Sequence, residues 1–199
     1  MKLLALSLIS LFFITSLTGC AASSEAGRSW SFSVAAPEHY RVWVEHLELE
    51  KSGVKHWRMP IGGVDCCWKG PDGPSGPGGP ITVLPDYIGI QWFSFSEQKY
   101  YQRLIPVPEH LKQRMEQPAT YSGAHGEHQA PRDMFVVGLA PGGQIVLWIM
   151  NQIGNEIEVA RMQANEIGGD PNDYRAATKR YLEANAAYLK QHGVPTTGW

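Results

Sequence analysis

The sequence predicts an α+β domain that is mainly β: an antiparallel, sandwich-like sheet domain with a short helix and one long C-terminal helix. Short segments of alternating aromatic or apolar and polar residues recur along the chain, as in half-buried strands. The 21 Gly and 14 Pro favour many turns over long helices. After Asp170, a helix start signal precedes apolar residues at helical spacing.

The first 19 residues have the organisation of a signal peptide. Lys2 precedes an apolar run from Leu3 to Leu17, which is shorter than the ~20 residues that a transmembrane helix needs. Leu17-Thr18-Gly19-Cys20 resembles the bacterial lipobox, in which the cysteine is acylated and becomes the first mature residue. We therefore predict a signal peptide over 1–19 and a covalent lipid (palmitate or a similar acyl chain) on Cys20. The alternative is an ordinary secretory signal beside an unmodified Cys20.

The residues after Cys20 predict a lipid-anchored tether. Residues 20–29 are mostly small and polar, and nine flexible residues span roughly 16–18 Å. Ala21 resembles an outer-membrane sorting signal. We therefore expect residues 30–199 to form a single domain held at the inner leaflet of the outer membrane, facing the periplasm.

Composition limits the kinds of partner and argues against a fold held together by disulfides. The net charge of −2 comes without a basic cluster, which argues against nucleic acid as a partner. Only Cys66 and Cys67 remain after Cys20, so a disulfide-rich scaffold is excluded.

The first half of the domain predicts five strands, over residues 30–34, 40–49, 54–59, 86–96 and 99–107. In the second strand, Val42 and Val44 fall on one face, whereas Trp43, Leu47 and Leu49 fall on the other. That pattern predicts a strand covered on both faces.

Two segments predict loops. Nine of the eleven residues from 70 to 80 are Gly or Pro, which predicts a solvated surface loop that does not pair into a sheet. Long loops are often functional, so Pro71, Asp72 and Pro74 are candidate partner contacts. Residues 117–131 are polar and also predict a loop.

The second half predicts helices at 109–116 and 171–192, a hairpin and a further strand. Residues 134–139 and 144–150 flank Ala-Pro-Gly-Gly, which is typical of a hairpin. Residues 156–167 predict a third strand of that meander. Asp170 caps the long helix, Pro171 opens it and Gly193 ends it, and its tyrosine stripe predicts packing on a sheet.

Two clusters carry reactive residues. Adjacent Cys66 and Cys67 can close an eight-membered disulfide ring, pair with another chain, or remain as inert residues beside Trp68. Their spacing does not suit zinc, which prefers cysteines separated by two to four residues. His125-Gly126-Glu127-His128 lacks the His-Glu-x-x-His helical pattern, and we interpret it as a solvated loop.

Catalytic motifs are not apparent. Gly-x-Ser-x-Gly is missing, and Gly142-Gly143 lies in a hairpin turn with no helix after it. We therefore predict no enzymatic activity, no metal site and no cofactor other than the lipid on Cys20.

Five motifs in order suggest a family. They are the lipobox, a tryptophan-rich first strand pair, Cys-Cys-Trp before the Gly/Pro segment, Leu-Ala-Pro-Gly-Gly and a terminal His-Gly-Val-Pro…Gly-Trp. The chain resembles bacterial lipoproteins grouped as domain of unknown function 2931. Some similar lipoproteins lie beside lipase effectors of type VI secretion and resemble immunity proteins.

The resemblance implies a membrane-anchored protein that binds and neutralises an antibacterial effector. Trp57 and Trp68, expected in exposed loops, are candidate anchors of the interface. The alternative is an envelope protein that binds lipid or glycan fragments in an apolar cavity between sheet and helix.

Overall fold

The computed structural model describes residues 28–199 as two stacked β-sheets with a helix against the outer face of one sheet. The predicted signal peptide 1–19, Cys20 and most of the 20–29 tether lie outside the described residues. Within residues 28–199, neither helix has the length and apolar character required to cross a membrane.

The elements follow one another in a strand-rich order. In the chain they are β1 (Ser29–Ala35), β2 (Val42–Lys51), β3 (Lys55–Arg58), β4 (Gly62–Val64), β5 (Ser75–Pro80), β6 (Tyr87–Ser94), β7 (Lys99–Pro106), α1 (Leu111–Glu116), β8 (Pro118–Gly123), β9 (Gly126–Pro131), β10 (Met134–Ala140), β11 (Gln144–Met150), β12 (Ile157–Gln163), β13 (Asn165–Ile167) and α2 (Arg175–His192). Short 3₁₀ turns occupy Pro141–Gly143 and Pro171–Tyr174.

The first sheet has the order β12-β11-β10-β1-β5, and the second has the order β13-β7-β6-β2-β3, with β4 also paired to β2. The pairs within the two sheets are antiparallel, except that β1 and β10 are parallel. This arrangement confirms the predicted mainly β, antiparallel class with its long C-terminal helix.

The main core lies between the two sheets. Alternate residues of facing strands fill it, among them Phe32, Leu47, Trp92, Phe135 and Leu147, each at most 1% exposed. Period-2 alternation explains this well for β6, where Ile88, Ile90 and Trp92 point inward.

A β-bulge corrects the prediction for β2. The ladder between β2 and β6 shifts between Val44 and His46, so one extra residue is accommodated there. Leu47 therefore lies on the core-facing side of β2, as Val44 does. Trp43 lies on the outer side and is 36% exposed. The predicted division, with Leu47 and Leu49 on the face of Trp43, is wrong for this reason.

The Gly/Pro segment is a loop only over residues 70–74, and the rest of it is a strand at the sheet edge. Its last six residues form β5 and pair antiparallel with β1. A Cβ on Gly73 would overlap the carbonyl oxygen of Val34, and a Cβ on Gly78 would overlap that of Trp30. Glycine allows this close backbone approach, and prolines are tolerated because β5 is an edge strand.

Of two further predictions for the second half, the loop at 117–131 is wrong, and the third meander strand at 156–167 is right only for its first part, β12. Residues 118–131 form the β8–β9 hairpin, paired in register from Pro118↔Pro131 to Gly123↔Gly126. Residues 156–167 form two strands, because β12 stays in the first sheet and β13 crosses to pair with β7 in the second.

The C-terminal helix ends where the sequence predicts, but its predicted first turn, Pro171–Tyr174, is a 3₁₀ turn, and α2 itself begins at Arg175. The Asp170 carboxylate accepts a hydrogen bond from the Asn172 backbone N–H, and Gly193 ends the helix with a φ of 67°. Tyr181 is 5% exposed and packs with Phe93, Phe95 and Tyr100 against the outer face of the second sheet.

The sandwich has two ends, which we call the Arg28 pole and the His39 pole. At the Arg28 pole, the Ser31 N–H donates to the Asp133 carbonyl and the Ile81 N–H donates to the Arg28 carbonyl. At the other end, β1 and β2 are joined through the segment that contains His39. The chain from the predicted anchor therefore enters the domain at the Arg28 pole.

Candidate functional site

A cleft of about 760 Å³ lies at the His39 pole between the start of β2 and helix α2. Its lining combines charged, polar and aromatic side chains, which are Glu38, His39, Arg41, Trp43, Asp65 and Arg180, together with one face of α2. The alternation of buried Tyr40, Val42 and Val44 with the intervening residues turns Arg41 and Trp43 outward to the cleft.

His39 is held in place from three sides. Its Nδ1 lies 2.8 Å from Asn185 Oδ1, its ring stacks on Tyr188 at 3.8 Å, and its carbonyl accepts the Tyr181 hydroxyl at 2.7 Å. Its φ of 70° is in the left-handed region, which is uncommon for a residue other than glycine. Contacts from α2 therefore fix the backbone conformation of one cleft wall.

The charges of the cleft are partly paired. Arg41 Nε lies 3.2 Å from Asp65 Oδ1, and its guanidinium lies 5.4 Å from the centre of the Phe95 ring. Arg180 lines the same cleft and has no ion-pair partner within residues 28–199. The cleft thus offers one oriented and one free cation beside the exposed Trp43 indole.

Two tyrosines of the helical segment stay neutral and act as hydrogen-bond donors. Burial raises the pKa of Tyr181 to about 12. Burial and the hydrogen bond to Glu45 raise the pKa of Tyr174 above its usual value. Both hydroxyls therefore keep their protons at any physiological pH.

A second surface is the β8–β9 hairpin, which we call the braced hairpin (Pro118–Pro131). Residues 126–129 are all exposed, so burial contributes little to holding them in place. The Gln152 amide makes paired hydrogen bonds with the Ser122 N–H at 2.7 Å and the Ser122 carbonyl at 2.9 Å. Asn155 donates to the Thr120 carbonyl, and Asn151 donates to the Ala130 carbonyl.

Side chains from the turn after β11 therefore fix a hairpin that has little core of its own. An isolated two-stranded hairpin is marginally stable in water, so this bracing is what selects one conformation. The hairpin base lies at the Arg28 pole, since Arg132 and Asp133 follow it directly and Asp133 binds Ser31.

Cys66 and Cys67 are joined as a disulfide in the structure. Their segment pairs with the end of β1, where the Ala36 N–H donates to the Cys66 carbonyl at 2.9 Å. Cys67 has a φ of 79°, a conformation that L-residues rarely adopt. The pair lies next to Asp65, so the disulfide constrains the loop that carries a cleft residue.

The predicted interface residues are mostly not exposed anchors. Trp57 lies on β3 and is only 7% exposed, so its expected place in an exposed loop is wrong. Trp68 is half-buried and packs edge-on against Trp148 at 4.8 Å. Pro71 and Pro74 are half-buried beside β1, which leaves Asp72 as the exposed member of that group.

The other sequence candidates do not converge. His125 lies in the turn of the braced hairpin, and the His128 ring lies 5.5 Å from that of Tyr121 across the ladder. In the part of the chain from Arg28 onward, no three His, Cys, Asp or Glu side chains come together in a group able to hold a metal ion.

Comparison with known families identifies the domain. The model of the family described as protein of unknown function (DUF2931) matches residues 21–197. The chain belongs to this DUF2931 family. No curated protein and no solved structure matches it.

The DUF2931 match includes both surfaces described above. The sequence signals for the cleft were present but weak: His39, Arg41 and Trp43 alternate with buried residues, which places them on one face. The polar composition of the braced hairpin indicates only a loop. The residues that brace it lie in a different segment of the chain, at 151–155, so the local sequence does not predict the hairpin.

Proposed function

We propose that this DUF2931 chain is a periplasmic lipoprotein, anchored through Cys20 to the outer membrane, that binds and neutralises an antibacterial effector. The effector class that fits is a lipase delivered by type VI secretion, because such an enzyme must reach the bilayer to act. A tethered inhibitor has a high effective concentration against an enzyme confined to the same surface.

The observation that carries the proposal is the position of the braced hairpin at the Arg28 pole. Residues 20 to 28 span at most about 30 Å when fully extended. An anchor at Cys20 therefore keeps the Arg28 pole, and the hairpin base next to it, close to the lipid headgroups. The hairpin is exposed and already rigid, so it loses little conformational entropy when a partner binds.

The test uses the mature lipoprotein in nanodiscs and the product of the neighbouring gene. We expect one-to-one binding and loss of lipase activity on lipid vesicles. Unlipidated protein carrying Cys20→Ser should bind in solution but protect vesicles less at equal concentration. Absence of binding together with unchanged lipase activity would overturn the proposal.

A second candidate function is favoured by the cleft at the His39 pole. Its volume falls within the roughly 300–1,000 Å³ of small-ligand sites. Because the lining is charged rather than apolar, it suits a glycan fragment better than an acyl chain. Exposed Trp43 would contact the sugar ring, and Arg180 would bind its polar substituents.

Titration of the protein with peptidoglycan fragments, followed by isothermal titration calorimetry, tests this candidate. Saturable binding should weaken at least tenfold in Trp43→Ala and several-fold in Arg180→Ala. Lys190→Ala removes a positive charge from the same helix outside the cleft and should leave the affinity unchanged. Equal affinities for all variants would exclude the cleft.

A further inference from the structure

The two edges of the braced hairpin differ in their hydrogen bonding. Gln152 binds both the N–H and the carbonyl of Ser122, so these groups of β8 point away from β9. Asn155 binds the Thr120 carbonyl, which points the same way. Side chains of the 151–155 turn therefore cap the outer edge of β8.

The outer edge of β9 is open. In an antiparallel ladder, the partner of a residue whose polar groups point outward also points its own groups outward. Ser122 pairs with Glu127, and Thr120 pairs with Gln129. Within the described residues, the backbone groups of Glu127 and Gln129 make no hydrogen bond outside the hairpin, and both residues are exposed.

We propose that β9 receives an extended strand of the effector by β-strand addition, with a Lys or Arg of that strand opposite Glu127. This inference rests on the proposed function and names the contact through which it acts. Main-chain hydrogen bonds to the Glu127 and Gln129 backbones supply the register. Glu127 is the one carboxylate of the hairpin, Pro118–Pro131, which favours a cation as its neighbour.

Two features favour an effector over a second copy of this chain. The open ladder is short, because Pro131 lacks an N–H, and a homodimer through these few residues would bury far less than the ~1,200 Å² of a stable interface. An enzyme cleft can instead enclose both faces of the hairpin. The hairpin base also lies at the Arg28 pole, where the chain from the predicted anchor enters and a membrane-bound enzyme arrives.

The test compares two substitutions of the same residue in the mature lipoprotein. Gln129→Pro removes an outward N–H without touching the ladder to β8, whereas Gln129→Ala changes the side chain and keeps the N–H. We expect Gln129→Pro to weaken binding of the neighbouring gene's product at least fivefold and Gln129→Ala less than twofold. Far-UV circular dichroism and thermal unfolding verify that both variants fold.

Charge and amide exchange provide independent measurements. Glu127→Lys should weaken binding at least tenfold, and Glu127→Gln by less. Hydrogen–deuterium exchange should slow at the Glu127 and Gln129 amides when the partner binds.

The outcomes are distinguishable. Tight binding that Gln129→Pro leaves unchanged, with both amides still exchanging, overturns the β9 contact while the neutralising function stands. Slowed exchange on nanodisc lipid alone identifies β9 as a membrane contact and overturns the inference. Failure of the wild-type protein to bind overturns the proposed function and the inference that rests on it.

Discussion

Single glycines decide whether the Gly/Pro segment can join the first sheet. A methyl group on Gly78 would overlap the backbone carbonyl of Trp30, which cannot move without displacing β1. We expect Gly78→Ala to lower the free energy of unfolding by about 1–3 kcal/mol, as overpacking does. Gly79→Ala is the matched control, since its Cβ would meet only Trp30 Nε1, at 3.9 Å. Equal urea midpoints for the two variants would contradict this account.

The Asp86 carboxylate binds Lys51 and Ser52 at the end of β2, and the stability that this contact contributes depends on pH. The hydrogen bond from Lys51 Nζ, at 2.6 Å, lowers the pKa of Asp86, and the Ser52 N–H adds to it. A lowered pKa stabilises the fold above the unfolded-state value near 4 and loses that effect as pH falls through the folded-state pKa.

Asp86→Asn should therefore destabilise the protein at pH 7, and this effect should shrink as the pH falls through the folded-state pKa of Asp86. The pair is about one-third exposed and screened by solvent, so the loss is about 0.2–1 kcal/mol. Urea unfolding of both proteins from pH 2 to pH 7 measures it. A constant difference across that range would show that the carboxylate charge is not the cause.

At the residue level, sequence reasoning succeeds where alternation is regular and fails where one residue changes the register. Ile88 and Ile90 could be placed in the core because β6 has no bulge. The pattern of β2 does not indicate the bulge near Glu45. The Glu45 carboxylate accepts hydrogen bonds from Gln91 and Tyr174, and both residues are distant in sequence.

Among the elements, α2 depends on one buried tyrosine that also shapes the cleft. Tyr181→Phe removes the hydrogen bond to the His39 carbonyl and should cost about 0.5–1.5 kcal/mol. Tyr181→Ala also leaves a cavity and should cost about 3–5 kcal/mol. Tyr87→Phe is the control, because Tyr87 is 41% exposed and its hydroxyl makes no hydrogen bond within residues 28–199.

Guanidinium unfolding followed by circular dichroism gives these values. If Tyr181→Phe matched Tyr87→Phe, the bond to His39 would not hold the helix to the strand segment.

Whether a strand or helix could be predicted depends on whether its signals lie in its own sequence. The β10–β11 hairpin and α2 carry local signals, a Gly-Gly turn and a capped helix start, so both were predictable. β5 has almost no side chains to form a pattern, and its pairing depends on β1 far away in the sequence. The braced hairpin depends on Gln152 and Asn155, so its local composition indicated only a polar loop.

For the whole molecule, the class could be predicted because it follows from summed alternation and one amphipathic helix. The crossing of the chain from β12 in one sheet to β13 in the other could not, because only Ala164 separates the strands and no local signal marks the change of sheet. The cleft likewise depends on contacts between segments distant in sequence, since its walls come from residues 38–43, Asp65 and α2.

The two poles predict how the protein would be oriented by the proposed lipid on Cys20. Glu38 and Val54 flank opposite ends of β2, whose 10 residues extend over about 33 Å. Val54 lies at the Arg28 pole, because Lys51 at the adjacent end of β2 lines one cleft with Ile81, whose N–H binds the Arg28 carbonyl. With the lipid on Cys20, Val54 should lie close to the membrane and Glu38 far from it.

Fluorophores attached to Val54→Cys and Glu38→Cys variants, with an acceptor on the lipid headgroups, measure this orientation in vesicles. Energy transfer should be clearly greater for the label at position 54. Because Cys66 and Cys67 are joined, they should not react with the label under oxidising conditions. Without the lipid, in a Cys20→Ser background, transfer should vanish for both positions.

Equal transfer from the two positions in the lipidated protein would mean that the domain tumbles on its tether. The braced hairpin would then have no fixed relation to the bilayer, and the proposal that it meets the effector there would lose its geometric basis.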